Sequence, residues 1–144
     1  MEYNIRKLEM PDYDDLMNLW QKSGLPYRPK GRDSRELMAF EFKREETCFL
    51  GMFDNGKLIG AIVGTSDGRK GWINRLAIDP EYRGQGLAKT LIEECEKFLF
   101  GLGLMIIAAL IEDYNNPSKN LFGKVGYKFT DNVHYFSKRL SDDV

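Results

Sequence analysis

Residues 76–88 read Leu76-Ala77-Ile78-Asp79-Pro80-Glu81-Tyr82-Arg83-Gly84-Gln85-Gly86-Leu87-Ala88. The apolar run up to Ile78 is typical of a strand, and a helix is predicted from Gly86 to Leu102. Two glycines between them let the backbone approach a ligand closely. Free amides and the dipole at a helix start favour an anion, and Arg83 adds a positive charge. This pattern predicts a cradle for a phosphate or a pyrophosphate.

The two glycines alone are equally compatible with a plain turn between a strand and a helix. A Walker loop is excluded, because no Gly-Lys-Ser/Thr follows Gly84 or Gly86. A Rossmann loop fits poorly, because the third glycine and the acidic residue of a following strand are missing. The identity of the anion therefore has to come from the rest of the chain.

The residues on either side of this stretch predict alternating strands and helices. Asn55-Gly56 predicts a tight hairpin, and Asp33 is expected to cap a second helix that carries Leu37 and Phe40. The apolar run at 105–111 predicts a strand covered on both faces. Strands are predicted at 3–7, 47–53, 58–65, 72–78, 105–111, 127–130 and 134–139, and further helices at 11–23 and 116–125.

The composition is that of a soluble globular protein, with 42% apolar and 30% charged residues. The length of 144 residues predicts one domain over 1–144. A net charge of −1 gives no basic surplus for nucleic acid. Cys48 and Cys95 are expected to be buried, and a single histidine with no Cys-x-x-Cys predicts no metal site. Without a signal peptide or a membrane span, a cytoplasmic location is expected.

Two blocks of this sequence resemble the Gcn5-related N-acetyltransferase (GNAT) family. Arg83 to Ala88 resembles the Arg/Gln-x-x-Gly-x-Gly/Ala signature, and it follows a similar strand and Asp-Pro entry. Asn115 with residues 121–127 resembles the later Asn…Leu-Tyr-Glu-Lys-x-Gly-Phe segment. Residues 64–71 resemble the small YpeA-type members. The resemblance covers nearly the whole chain.

The resemblance implies an α/β (α+β) fold, in which six to seven mostly antiparallel strands form a mixed sheet flanked by about four helices. It also implies that the strands at 72–78 and 105–111 splay apart and admit the pantetheine arm of acetyl-CoA. No metal cofactor is implied. The implied cofactor-binding residues are Leu76, Ala77, Ile78, Arg83, Gly84, Gln85, Gly86, Leu87, Ala88, Lys89, Asn115, Ser118 and Phe122.

The implied reaction is direct attack of a primary amine on the thioester in a ternary complex, with the backbone amide of Leu76 stabilising the oxyanion. Many members carry a glutamate base where this chain has Asn74 or Arg75, neither of which can act as a base, and a tyrosine acid where it has Phe122. Glu112, expected at the end of the strand at 105–111, is the remaining candidate base, and Tyr114 the candidate acid or substrate contact. A solvated carboxylate and an exposed loop tyrosine are the competing interpretations.

The acceptor amine is expected to bind Tyr27, Arg28 and Asn74, although a basic surface loop also explains the first two. The departures at Asn74 and Phe122 leave a second hypothesis, a non-catalytic acyl-CoA sensor or interaction module. A third is a nucleotide-phosphate binder outside the family. Partnership with nucleic acid or membrane is not expected, whereas a homodimer formed through the late strands is compatible with the sequence.

Overall fold

The computed structural model describes residues 3–142, and in this range five strands form one sheet in the order β1-β2-β3-β4-β5. The first four strands are antiparallel, and β5 runs parallel to β4. The strands are β1 Asn4–Lys7, β2 Cys48–Asp54, β3 Lys57–Ser66, β4 Gly71–Ile78 and β5 Ile107–Ala109. The helices are α1 Tyr13–Lys22, α2 Arg35–Lys43, α3 Leu87–Gly101 and α4 Asn116–Lys124, with short 3-10 turns at Met10–Asp12 and Pro80–Tyr82.

The two faces of the sheet carry separate apolar cores. Helices α1 and α2 cover one face, where the buried helical residues include Leu16, Leu19, Trp20, Met38 and Phe42. Helices α3 and α4 cover the other face, with Leu91, Ile92, Cys95, Leu99 and Phe122. This two-sided packing explains why β3 is buried from Leu58 to Gly64.

Strand β4 contains a β-bulge. Val63 of β3 pairs with Arg75, whereas the next residue, Gly64, pairs with Ile73, so Asn74 is the extra residue. Strand β5 pairs only with the first three residues of β4. Within residues 3–142, β4 therefore has no strand beside it on that side from Asn74 onward. The predicted splay is present, and it begins at the bulge.

The predicted hairpin and the predicted helix bounds are confirmed to within a few residues. Asn55 and Gly56 connect β2 to β3, both with positive φ. Asn115 caps α4, and its side chain accepts a hydrogen bond from the backbone N–H of Ser118. In the part of the chain described, no helix is both long enough and apolar enough to cross a bilayer.

The expected cap of α2 was wrong. Ser34, not Asp33, is the N-cap, and its hydroxyl accepts a hydrogen bond from the N–H of Leu37 at 3.3 Å. Asp33 lies one residue earlier with its carboxylate buried. Aspartate and serine are both good N-cap residues, and Asp33 instead binds Arg75 of β4, which leaves the cap to Ser34.

The buried face of α2 is formed by residues other than Leu37 and Phe40. Met38 and Phe42 are buried, and Phe42 packs edge-to-face on Phe49 of β2 with 4.9 Å between ring centroids. Leu37 and Phe40 are exposed instead. Apolar residues at 37, 38, 40 and 42 fit two helical faces, and the position of β2 selects one of them.

The end of the sheet is shorter than predicted. The strand expected at 105–111 is limited to Ile107–Ala109, and its predicted burial on both faces is wrong, because Met105 and Leu110 are exposed. The segments at 127–130 and 134–139 are not strands in this structure. A strand needs a hydrogen-bonding neighbour, which a residue pattern alone does not supply. The described sheet consequently has five strands rather than six or seven.

Candidate functional site

Asp79 anchors the β4–α3 loop, which comprises residues 79–86. Its carboxylate is fully buried and accepts hydrogen bonds from the N–H of Glu81 and from Nζ of Lys22, each at 3.0 Å. Its own N–H donates to the carbonyl of Ile59 at 2.7 Å. Burial alone raises the pKa of this carboxyl, but the bonds from Glu81 and Lys22 outweigh it, and the pKa is lowered. The loop therefore starts from a fixed, charged point.

The N–H groups at the start of α3 have no internal partner. The first intrahelical bond runs from Thr90 to the carbonyl of Gly86, so the amides of residues 87–89 lack an acceptor within the helix. Among residues 3–142, no hydrogen bond is donated by the amides of 83–86 either. Gly84 and Gly86 have φ of 83° and 77°, which side chains rarely tolerate. The loop thus presents a row of free donors.

These amides border a shallow surface cavity of about 220 Å³. Nε of Arg83 donates to the carbonyl of Ile78 at 3.3 Å, which holds a positive charge beside the end of β4. Free donors, a helix N-terminus and nearby cations together suit a polyvalent anion. The cavity is lined by Ile78, Tyr82, Arg83, Gly84, Gly86, Leu87, Ala88, Lys89 and Leu121.

Strand β4 offers further free backbone groups next to the cavity. Asp79 donates to Ile59 of β3, and antiparallel neighbours alternate between bonded and non-bonded pairs. Ala77 therefore bonds to β3, whereas the N–H groups of Leu76 and Ile78 point to the opposite side, where β5 has already diverged. An extended ligand arm can pair with these groups as an added strand.

A row of free donors suited to a polyvalent anion, beside an open strand, agrees with the resemblance noted in the sequence. Residues 5–127 match the sequence profile of the acetyltransferase (GNAT) family. The chain belongs to this family. A curated relative, acetyltransferase SG1711 of Sodalis glossinidius (strain morsitans), is 29% identical over 139 residues, which cover 96% of each protein.

Solved GNAT structures share this fold. The PaiA N-acetyltransferase of Thermoplasma acidophilum, in complex with coenzyme A, superposes with a TM-score of 0.81 at 26% identity, over 91% of this chain and 92% of that one. The aminoglycoside 6'-N-acetyltransferase AAC(6')-IG of Acinetobacter haemolyticus, in its apo form, gives 0.77 at 18% identity, over 96% and 99%. The GNAT-type fold expected from the sequence is confirmed.

Asn115, Ser118 and Phe122, which were expected at the cofactor, are not among the residues that line the cavity. The side chain of Asn115 caps the helix by accepting from the N–H of Ser118 at 3.2 Å. Phe122 is buried and packs edge-to-face on Tyr127, with 5.0 Å between ring centroids. Leu121, the preceding residue, lines the cavity instead. Adjacent residues of a helix point in different directions, so Phe122 packs in the core while Leu121 faces the cavity.

Glu112 and Tyr114 lie in an exposed turn between β5 and α4. The expectation that Glu112 ends the strand was wrong, because β5 ends at Ala109. The carbonyl of Glu112 accepts from the N–H of Asn115 at 2.9 Å, so this turn leads directly into α4. Both side chains are open to solvent.

Of the expected substrate residues, Asn74 is the bulged residue of β4, and Tyr27 and Arg28 lie in the loop between α1 and α2. Nδ2 of the bulged Asn74 donates to Oγ1 of Thr65 at 2.7 Å. Tyr27 is half-buried against the core beneath α1 and α2. The N–H of Arg28 donates to the carboxylate of Asp33 at 2.6 Å. Within the α1–α2 loop, residues 23–34, the backbone of Arg28 is thus held by Asp33, the buried aspartate that was expected to cap a helix.

Tyr82 is a cavity residue that sequence reasoning missed. Its hydroxyl donates to Oδ2 of Asp54 at 2.8 Å, and this bond raises the pKa of Tyr82 to about 12. Tyr82 and Leu87 both line the cavity. Tyr82 and Asp54 are 28 residues apart, and nothing in the local pattern of either residue points to the other.

Groups suited to covalent or metal catalysis do not gather at this site. Cys48 and Cys95 are both free thiols and both buried, as predicted. Contact with Cys48 and burial raise the pKa of Cys95, so its thiolate is suppressed. Within residues 3–142, no cluster of three or more His, Cys, Asp or Glu side chains is placed to hold a metal ion.

Proposed function

We propose that this chain transfers the acetyl group of acetyl-CoA to a primary amine of a small molecule, a peptide or a protein. One juxtaposition carries the proposal: free amides at residues 83–89 adjoin the free N–H groups of Leu76 and Ile78. The first set suits a pyrophosphate, and the second suits a pantetheine arm. Membership of the GNAT family and the coenzyme A bound to the PaiA relative support the choice of cofactor.

The amide of Leu76 is proposed to donate to the thioester carbonyl. It follows the bulge at Asn74 and is directed into the gap between β4 and β5. A fixed backbone donor at this point stabilises the oxyanion that forms when the amine attacks. Because Cys95 is buried and its pKa is raised, we propose direct attack in a ternary complex and no acyl-enzyme.

The amine has to lose a proton before it attacks. With a pKa near ~10.4, this costs about 5 kcal/mol at neutral pH. We propose Glu112 as the base, acting through water, and Tyr114 as an acid or substrate contact. Both are exposed, in the segment between β5 and α4. Phe122 has no proton to give, and a thiol with a pKa near ~8.5 leaves adequately as the thiolate.

The acceptor is proposed to bind between the α1–α2 loop and the bulge, at Tyr27, Arg28 and Asn74. The loop is linked to the bulge through Asp33, which bonds both Arg28 and Arg75. An aminoglycoside antibiotic 6'-N-acetyltransferase shares this fold, which supports an amine as the class of acceptor.

Two measurements test the proposed function. Calorimetry with CoA, acetyl-CoA, ATP and NAD is expected to give heat for the CoA compounds alone. Release of free thiol from acetyl-CoA is then followed across a panel of amines, and amine-dependent release is expected. Binding of ATP or NAD in preference to CoA would indicate a nucleotide-phosphate binder and contradict the proposal.

A second candidate function is a non-catalytic acyl-CoA sensor or interaction module. The buried Phe122 favours it, because the hydroxyl of the usual family acid is missing at that position. Tight binding of acetyl-CoA without thiol release for any amine would support this alternative. A homodimer and a cytoplasmic location remain predictions, which sedimentation analysis and cell fractionation test.

A further inference from the structure

Asp33 is a buried carboxylate at the end of the α1–α2 loop. One oxygen accepts from the N–H of Arg28 at 2.6 Å, and Nε of Arg32 lies 3.6 Å from it. The backbone carbonyl of Asp33 accepts from the hydroxyl of Tyr13 at 2.5 Å. Burial raises the pKa of this hydroxyl, so it stays a donor at neutral pH. Asp33 therefore contacts both its own loop, through Arg28 and Arg32, and α1, through Tyr13.

Arg75 connects this charge to the sheet. Its two terminal nitrogens each bond one oxygen of Asp33 at 3.0 Å, in the parallel bidentate arrangement. The two side chains are 13% and 5% exposed, so the pair is screened little by water. Arg75 directly follows the bulged residue Asn74. A loop and the bulge, 42 residues apart, are thus joined by one ion pair.

Trp20 of α1 fixes the guanidinium from below. The carbon at the centre of the guanidinium lies 4.1 Å from the centre of a Trp20 ring. The indole is 1% exposed, and its Nε1 has no hydrogen-bond partner within residues 3–142. Arg75 is therefore held by a carboxylate in its plane and by an aromatic face beneath it, which a lysine cannot reproduce.

We propose that Asp33 and Arg75 form a positioning pair that locks the α1–α2 loop onto the bulge and thereby sets the position of the acceptor amine. This inference rests on the proposed acetyl transfer. The pair does not touch acetyl-CoA, whose cradle lies at residues 83–89. The carboxylate of Asp33 is fully engaged by Arg75 and Arg28, so its role is geometric and it is not the base.

The lock has a specific kinetic consequence. A misplacement of about 1 Å at the reacting atoms lowers rates on the order of 100-fold. Loosening the loop therefore lowers kcat/KM for the amine by about 10-fold to 100-fold. The Kd of CoA, measured by calorimetry, stays within about twofold of the parent value, because the CoA interactions are the same in both proteins.

The test uses the double variant Asp33→Asn with Arg75→Gln, which removes both charges together and leaves no buried charge unpaired. Arg75→Lys is the conservative variant and is expected to retain more activity than the double variant, although less than the parent. The matched control is Asp14→Asn, which breaks an exposed ion pair with Arg35 between α1 and α2, the helices on either side of the loop. The control is expected to leave both kcat/KM and the Kd of CoA unchanged.

Hydrogen exchange of the amides provides a readout that does not need turnover. In the double variant, amides of residues 23–34 are expected to exchange faster, while those of β2 and β3 keep the parent rates. This result supports the lock even if no amine proves to be a substrate and the proposed function fails. Unchanged exchange at 23–34 overturns the inference. Parent-like kcat/KM in the double variant, or a parallel loss of CoA affinity, overturns it as well.

Discussion

Two loops frame the open half of β4, and each is held by a buried aspartate. Asp79 fixes the β4–α3 loop through Glu81, two residues away, and through Lys22 of α1. Asp33 fixes the α1–α2 loop through Arg75, which lies 42 residues along the chain. Both carboxylates are almost inaccessible to water. The backbone of the first loop is shaped by local features, a cap and two glycines, although Lys22 is itself 57 residues from Asp79. The second loop is positioned by a distant strand.

Because of this difference, we expect the two halves of the proposed site to respond differently to amino-acid substitutions. The β4–α3 loop keeps its form through glycines, a cap and a helix start, which are all local features. The α1–α2 loop depends on one ion pair, so a single substitution in β4 reaches it. We therefore expect the CoA side to fail through local changes and the acceptor side to fail through remote ones.

The largest expected effect comes from breaking the remote pair on one side. Arg75→Ala leaves Asp33 charged and buried, and removing one partner of a buried pair costs about 3–5 kcal/mol. Because the N–H of Arg28 still donates to Asp33 in this variant, we expect the loss of unfolding free energy to lie near the lower end of that range. Urea unfolding measures it. The double variant Asp33→Asn with Arg75→Gln is expected to lose clearly less unfolding free energy than Arg75→Ala. An equal loss in both variants would contradict the claim that an unpaired buried charge causes the destabilisation.

Asp79→Ala tests the local anchor and is expected to cost about 2 kcal/mol, because hydrogen bonds to a charged acceptor are lost. The pKa of Asp79 is lowered in the folded state from 3.8, so its contribution is present above that unfolded value and disappears as the pH falls through the folded value. The difference in unfolding free energy between the parent and Asp79→Asn, measured by urea unfolding, should therefore become smaller below about pH 4. A gap that widens in acid would contradict the assignment.

Substitutions at Gly84 test the anion cradle with a smaller effect. A Cβ placed at Gly84 meets open space, although φ of +83° strains any side chain. Gly84→Asp and Gly84→Asn carry the same strain, and they differ in charge. The aspartate is expected to weaken CoA binding by about tenfold more than the asparagine, which is about 1.4 kcal/mol of repulsion. Equal Kd values by calorimetry would mean that no phosphate binds there.

The variant with the smallest expected effect distinguishes the role of the α2 cap from that of the buried Asp33–Arg75 pair. Ser34→Ala removes the bond to the N–H of Leu37 and is expected to cost about 1 kcal/mol of unfolding free energy. The α1–α2 loop keeps Asp33 in this variant, so kcat/KM for the amine should not change. A loss of activity similar to that of the Asp33 and Arg75 variants would show that the cap, rather than the ion pair, positions the loop.

The sequence alone predicted the parts of the site that depend on near neighbours. The turn at Asn55-Gly56, the cap by Asn115 and the free amides after Gly84 each follow from residues a few positions apart, and the structure has all three. It did not predict that Phe122 enters the core while Leu121 lines the cavity, because both residues are apolar. It also assigned Asp33 to the wrong role, because a good capping residue and a buried ion-pair partner look alike locally.

The pattern of residues determined that a strand, a glycine loop and a helix start meet at residues 76–88, since backbone conformation and helix dipoles are local properties. Only the tertiary structure decided where β5 leaves β4, which carboxylate faces Arg75, and that the residues after Ala109 add no further strand within the part described. These features depend on contacts between residues far apart in the chain, where burial and pairing set the energy, and no window of sequence contains both partners.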